Sequence, residues 1–237
     1  MKPRFEELDY RHTPIGALSL RRRYEPRLDK DLYEIKLDDE FLMSSGFTAS
    51  EEALGHLGTA AAPNTRPAIL VGGLGLGFTA RAVLEEARVA ECLVIEFLGP
   101  VIEWHRRGYL PLGAALTRDP RCRLVQGDFF ALSKHPDGFD PAAPGRRFDA
   151  ILVDIDHSPD AHLDARSVDF YDPAGLTALA RHLAPDGVFG LWSNDPPDDA
   201  FVARLASVFP SAHAEPVTFP NHFQQRATTQ SVPLARR

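Results

Sequence analysis

Residues 67–87 read PAILVGGLGLGFTARAVLEEA. Residues 68–71 are small or apolar and read as a short buried strand. Residues 72–77 are the glycine cluster GGLGLG, after which Phe78, Ala82, Val83 and Ala87 recur at helical spacing. Strand, glycine turn and helix in that order set the helix's free N–H groups and the positive end of its dipole against the turn. Glycine belongs where the chain turns sharply or where a ligand must come close to the backbone. Gly73, Gly75 and Gly77 make G-x-G-x-G, whereas the dinucleotide fingerprint puts its third glycine at position 78, which is Phe78 here. The spacing suits a nucleoside of the S-adenosylmethionine kind better than a pyrophosphate, with Gly72, Gly73, Gly75 and Gly77 as the cofactor-binding turn. A turn made only for packing is the alternative.

Downstream the pattern repeats. Residues 91–97 (ECLVIEF), 121–126, 147–154 (RFDAILVD) and 187–192 read as strands. Helical segments separate them: one from Pro100, one from Asp172-Pro173 to a stop at Pro185-Asp186-Gly187, and one over 199–209. Residues 213–219 and 228–234 suggest a closing antiparallel pair. This alternation predicts an α/β fold with a mostly parallel, doubly wound, Rossmann-like sheet covered on both faces. Ligands of such sheets sit beyond the carboxyl ends of the strands, where strand order reverses.

Upstream, Ile15, Leu18 and Leu20 form one apolar run, and Leu32, Tyr33, Ile35 and Leu37 another, around the polar RRRYEPRLDKD of 21–31. A small antiparallel β-region is expected over 1–47, and the nucleoside-binding region over 48–237. Arg21, Arg22 and Arg23 read as a solvated strand end. Residues 50–57 read as a helix capped by Ser50, with Glu51 and Glu52 in its first turn.

The 237 residues are 44% hydrophobic with a net charge of −7, which suits one α/β domain with an N-terminal addition. The acidic balance argues against a nucleic-acid partner and suits a cationic substrate. Cys92 and Cys122 make neither metal-ligand spacing nor a disulfide framework, so a reducing cytoplasm and no metal are expected. No apolar run approaches the ~20 residues that span a bilayer, and MKPRFEELDY lacks the apolar core of a signal peptide. A membrane partner is therefore not expected.

Acids recur where the strands end. Glu96 closes the second core strand 19 positions after Gly77, close to the interval at which an acid meets ribose hydroxyls. A carboxylate accepts two hydrogen bonds and so matches a vicinal diol. Asp128, in QGDFF, is placed either to meet the adenine amino group or to cap a helix. Asp154 ends the apolar strand DAILVD, with Asp156 and His157 in the loop behind it; one of these two is expected to share the site. Trp192, Asn194 and Asp195 follow the next strand and are candidates for the wall of an acceptor pocket, although packing is the plainer role for Trp192.

These pieces together resemble the spermidine-synthase branch of the class I S-adenosylmethionine-dependent methyltransferase superfamily. The resemblance rests on the β-region before LDDEFLMSS, the GGLGLG turn, VIEF, QGDFF and FDAILVDIDHSP, with YDPAGLTALARHLAPDGVFGLW behind them. It implies a class I methyltransferase fold and a co-substrate that is S-adenosylmethionine or its decarboxylated form. Glu96 would lie on the ribose, Asp128 by the adenine, and Asp154 beside an attacking amine. It also implies a small-molecule amine acceptor and a homodimer formed through the N-terminal region. Three departures are plain. Gly75 stands where polyamine synthases have the aspartate of GGGDGG. His157 stands at the fourth position of their D-x-x-D-P. Their Tyr-His-Glu falls on Ser50, Glu51 and Glu52.

The expected reaction is in-line attack of an amine on a sulfonium carbon, with Asp154 orienting the amine and taking its proton, and Asp156 or His157 assisting. Transfer of an aminopropyl or related alkyl group is the first reading. Methyl transfer from intact S-adenosylmethionine is the second, and non-catalytic nucleoside binding the third.

Overall fold

The structure is a computed structural model that describes residues 4–155, 157–160 and 165–237. Four strands open the chain: β1 (Phe5–Thr13), β2 (Gly16–Glu25), β3 (Lys30–Leu37) and β4 (Glu40–Ser44). They form an antiparallel sheet in the order β1-β2-β3-β4. The expected antiparallel β-region is thus a four-stranded sheet. The three arginines are not a solvated end: they lie within β2, flanked by acids of its neighbours. Arg22 pairs with Glu6 at 2.8 Å and Arg23 with Glu34 at 2.7 Å.

Helix α1 (Ala49–Ala61) leads into β5 (Ala68–Gly72) and α2 (Phe78–Glu85). Then come β6 (Glu91–Glu96), α3 (Gly99–Arg107), α4 (Gly113–Arg118), β7 (Cys122–Gln126), α5 (Phe129–Lys134) and β8 (Phe148–Val153). A 3-10 turn over Ala165–Phe170 precedes α6 (Pro173–Ala180), β9 (Leu183–Leu191), α7 (Asp199–Ala206), β10 (Ser211–Asn221) and β11 (Arg226–Arg236). The second sheet runs β10-β11-β9-β8-β5-β6-β7. Strands β5 to β9 pair in parallel, and β11 is antiparallel to both β9 and β10. This is the class I methyltransferase architecture, with the order reversing between β5 and β8.

Alternate residues of the central strands feed opposite faces, as burial on both sides requires. Ile69, Val71 and Val94 join one cluster, which continues into the small sheet through Leu18, Leu20 and Ile35. Leu70, Leu93, Ile95 and Ile151 join the other, with Phe129, Phe139 and Phe170. Two local expectations are corrected. Ser50 lies inside α1, whose N-cap is Thr48, so its hydroxyl is left to other partners. Pro185-Asp186-Gly187 sits within β9 rather than before it: Asp186 adopts φ 58° and the β8–β9 register shifts there, so the strand absorbs the turn as a bulge.

Candidate active site

The glycine turn leaves β5 at the reversal point and is tied to both neighbouring strands. The Gly73 N–H donates to the Ile95 carbonyl (2.9 Å), and the Asp154 N–H donates to the Gly72 carbonyl (2.8 Å). Gly73 and Gly75 have φ of 90° and 45°. A Cβ on Gly73 would run into the Asp154 carbonyl oxygen, and one on Gly75 into the Met43 sulfur.

A cavity of about 460 Å³ opens above the turn, and it collects Gly73, Gly75, Glu96, Asp128, Asp154 and His157 of the sequence-predicted residues. Gly72 and Gly77 do not line it. Gly72 is the last residue of β5 and would point a side chain at the Phe129 ring; Gly77 caps α2 and would point one at Leu116 and His105. Gly77, with φ 95°, turns the backbone into α2, and Gly72 leaves room for the Phe129 ring. Asp156 lies outside the described residues.

Glu96 is 8% exposed and is held by two backbone donors: the Leu74 N–H to Oε2 (2.9 Å) and the Leu98 N–H to Oε1 (2.7 Å). Burial raises its pKa, and these donors oppose the rise. The Gly75 and Phe97 N–H groups also face the carboxylate. Asp128 Oδ1 accepts the Ala131 N–H at 3.1 Å as the cap of α5, and the residue also lines the cavity. Asp154 Oδ2 accepts the Thr79 hydroxyl at 2.7 Å. Burial lifts Asp154 to about 6, against the Thr79 hydrogen bond and with a smaller push from the Glu96 charge.

Trp192 and Asn194 line the cavity, Trp192 packing against the core as well, and Asp195 does not line it. Met43, Phe47, Glu51 and Gln230 also line it, and the sequence reading had not singled them out for the site. Glu51 is 6% exposed; burial and then the Asp154 charge lift it to about 8. Its signal was available, because it shares the buried face of α1 with Leu54, Gly55 and Gly58, an acid on an apolar stripe. Four carboxyl groups, on Glu51, Glu96, Asp128 and Asp154, and no lysine or arginine line the cavity among the described residues. Such a field favours a cation. Among the described residues no cluster of His, Cys, Asp and Glu is arranged to hold a metal ion, and no helix is long and apolar enough to cross a membrane.

The sequence profile of the spermine/spermidine synthase domain matches residues 48–200. Putrescine N-methyltransferase 4 of Nicotiana tabacum is 32% identical over 145 residues, which is 61% of this chain and 34% of that one. Polyamine aminopropyltransferase 2 of Pseudomonas aeruginosa is 28% identical over 166 residues, 66% of this chain and 43% of that one. The chain thus spans less than half the length of either relative. The structure of spermidine synthase from Thermotoga maritima superposes with a TM-score of 0.73 at 22% identity, covering 97% of this chain and 72% of that one.

Proposed function

The chain belongs to the spermine/spermidine synthase domain family, and on that premise we propose that it transfers an alkyl group from an adenosyl sulfonium to a small-molecule amine. One observation carries the reading: Glu96 and Asp154, at the ends of β6 and β8 on either side of β5, open onto the same acid-lined cavity above the glycine turn. The sulfonium supplies an electrophilic carbon and a thioether leaving group. Glu96 holds the ribose diol, and Asp128 stands by the adenine. Asp154, held by Thr79, takes the proton that the acceptor ammonium must lose before attack. The C–N bond forms as the C–S bond breaks, and the bonding pair stays on sulfur.

The aminopropyl group is the preferred cargo. Decarboxylated S-adenosylmethionine carries an ammonium and no carboxylate, which suits a cavity lined by four acids and no base. Methyl transfer is the second reading, favoured by the uncharged Met43 thioether over Gly75, where the resemblance calls for an acid. A homodimer through the N-terminal sheet and a cytoplasmic setting complete the proposal; Phe5 and Phe41, 55% and 56% exposed on that sheet, support the former.

The test is incubation with decarboxylated or intact S-adenosylmethionine and a pool of primary amines, with the nucleoside product identified by mass spectrometry. Methylthioadenosine from the decarboxylated donor marks aminopropyl transfer, and S-adenosylhomocysteine marks methyl transfer. Binding of both nucleosides with no turnover on any amine would overturn the enzymatic reading.

A further inference from the structure

The Ser50 hydroxyl oxygen meets three polar neighbours: Glu51 Oε2 at 2.8 Å, Gln230 Oε1 at 2.5 Å and Trp192 Nε1 at 2.7 Å. The indole N–H can only donate, so it occupies one serine lone pair. Ser50 has one proton to give and two oxygens asking for it. The Gln230 carbonyl is aimed at Ser50 because Gln230 Nε2 donates to Asn194 Oδ1 at 2.6 Å. A proton on Glu51 Oε2 satisfies both contacts at once, with the serine proton on Gln230.

The groups around Glu51 agree. Asp154, Glu96, Asp128 and His157 line the same cavity from the ends of β8, β6 and β7, and Glu52 is its neighbour on α1. No lysine or arginine faces it among the described residues lining the cavity.

We propose that Glu51 rests as a neutral carboxylic acid and that an entering primary ammonium displaces its proton, so that Glu51 and Asp154 together seat that ammonium. The proton leaves to solvent and the ligand keeps its charge. Ser50 then turns its own proton from Gln230 to Glu51, and the Gln230 carbonyl becomes a further acceptor for the ammonium in the same cavity. The proposal deepens the amine-transfer reading and rests on it. The ammonium belongs either to the acceptor or to the donor's aminopropyl chain, and the test separates the two.

The infrared difference between wild type and Glu51→Gln at pH 7 is expected to contain the C=O band of a protonated carboxyl group. Primary amines from propylamine to 1,8-diaminooctane, added with 5′-methylthioadenosine, abolish the band if the ammonium is the acceptor's. Decarboxylated S-adenosylmethionine alone abolishes it if the ammonium is the donor's. Loss of the band on ligand addition is read in the wild-type protein and needs no variant. Glu51→Gln is expected to keep its methylthioadenosine affinity and to weaken ammonium binding by about tenfold, the worth of a charge-assisted hydrogen bond. No such band in the free protein, as amides of Gln230 and Asn194 turned the other way would give, overturns the proposal. So does a band that survives saturation. Calorimetry in which methylthioadenosine binds but neither amines nor the decarboxylated donor do would overturn the amine-transfer reading itself, whatever the band shows.

Discussion

The sulfur of Met43, on β4, occupies the space into which a side chain on residue 75 would project. The Leu76 N–H donates to that sulfur at 2.8 Å, so the small sheet holds the glycine turn directly. Gly75 has φ 45°, a conformation that aspartate tolerates better than most residues. What keeps an acid out of position 75 is therefore Met43 rather than the backbone.

Gly75→Asp alone is expected to weaken 5′-methylthioadenosine binding about tenfold, in line with the roughly 1–3 kcal/mol cost of overpacking. Adding Met43→Ala should restore most of the loss by vacating the space. Calorimetric titration of the two single variants and the double variant checks this; equal losses in Gly75→Asp and in the double variant would show that the sulfur is not the obstacle.

Glu96→Gln is expected to weaken nucleoside binding tenfold or more, because charge-assisted hydrogen bonds are worth about 1.5–3 kcal/mol. It should also lower the melting temperature, since an amide has one acceptor oxygen for the two N–H groups of Leu74 and Leu98. An unchanged dissociation constant would remove Glu96 from the ribose.

Asp154→Asn is expected to leave nucleoside affinity intact and to cut turnover by about 10²–10⁴, the range for loss of a general base. In the wild type the base must be ionised, so turnover should rise with pH through about 6 and then level off. A turnover–pH profile with no rise in that region would assign the proton to another group.

Stability should move the opposite way. Asp154 and Glu51 have folded-state values near 6 and 8, above their ordinary 3.8 and 4.5. The folded chain therefore binds more protons than the unfolded one between those values, and stability falls as pH rises. The melting temperature of the free protein should decline from about pH 4 to about pH 8, the region between the ordinary and shifted carboxyl values. Glu51→Gln should flatten the upper part of that decline and Asp154→Asn the lower part. Parallel profiles for all three proteins would contradict the assignment.

Much of the site was legible because its residues close strands. Glu96 and Asp154 each follow an uninterrupted apolar run, and a parallel strand ends where the ligand edge begins. The glycine turn announced itself by composition. Met43 and Gln230 were not legible, because they reach the cavity from β4 and β11, elements distant in sequence whose position depends on how two sheets pack. Glu51 was read as a first-turn acid and as a departure from the family's Tyr-His-Glu, since helix-end chemistry explained it before its burial was known. The arginines of β2 were misread for a related reason: their partners Glu6 and Glu34 sit on strands to either side, and pairing register cannot be seen in a single run of residues. FEELDYRHT hid a strand because its mixed charges follow an edge alternation with no apolar face.

One apolar cluster passes without a break from Leu18 and Ile35 into Val71 and Val94. The small sheet is thus no detachable ornament: a repacking among its leucines would tilt β4, carry Met43 and Phe47 with it, and reshape the roof over the reacting groups. Substrate preference in this lineage has room to drift through substitutions in the core of the small sheet, away from the carboxylates that act on the substrate.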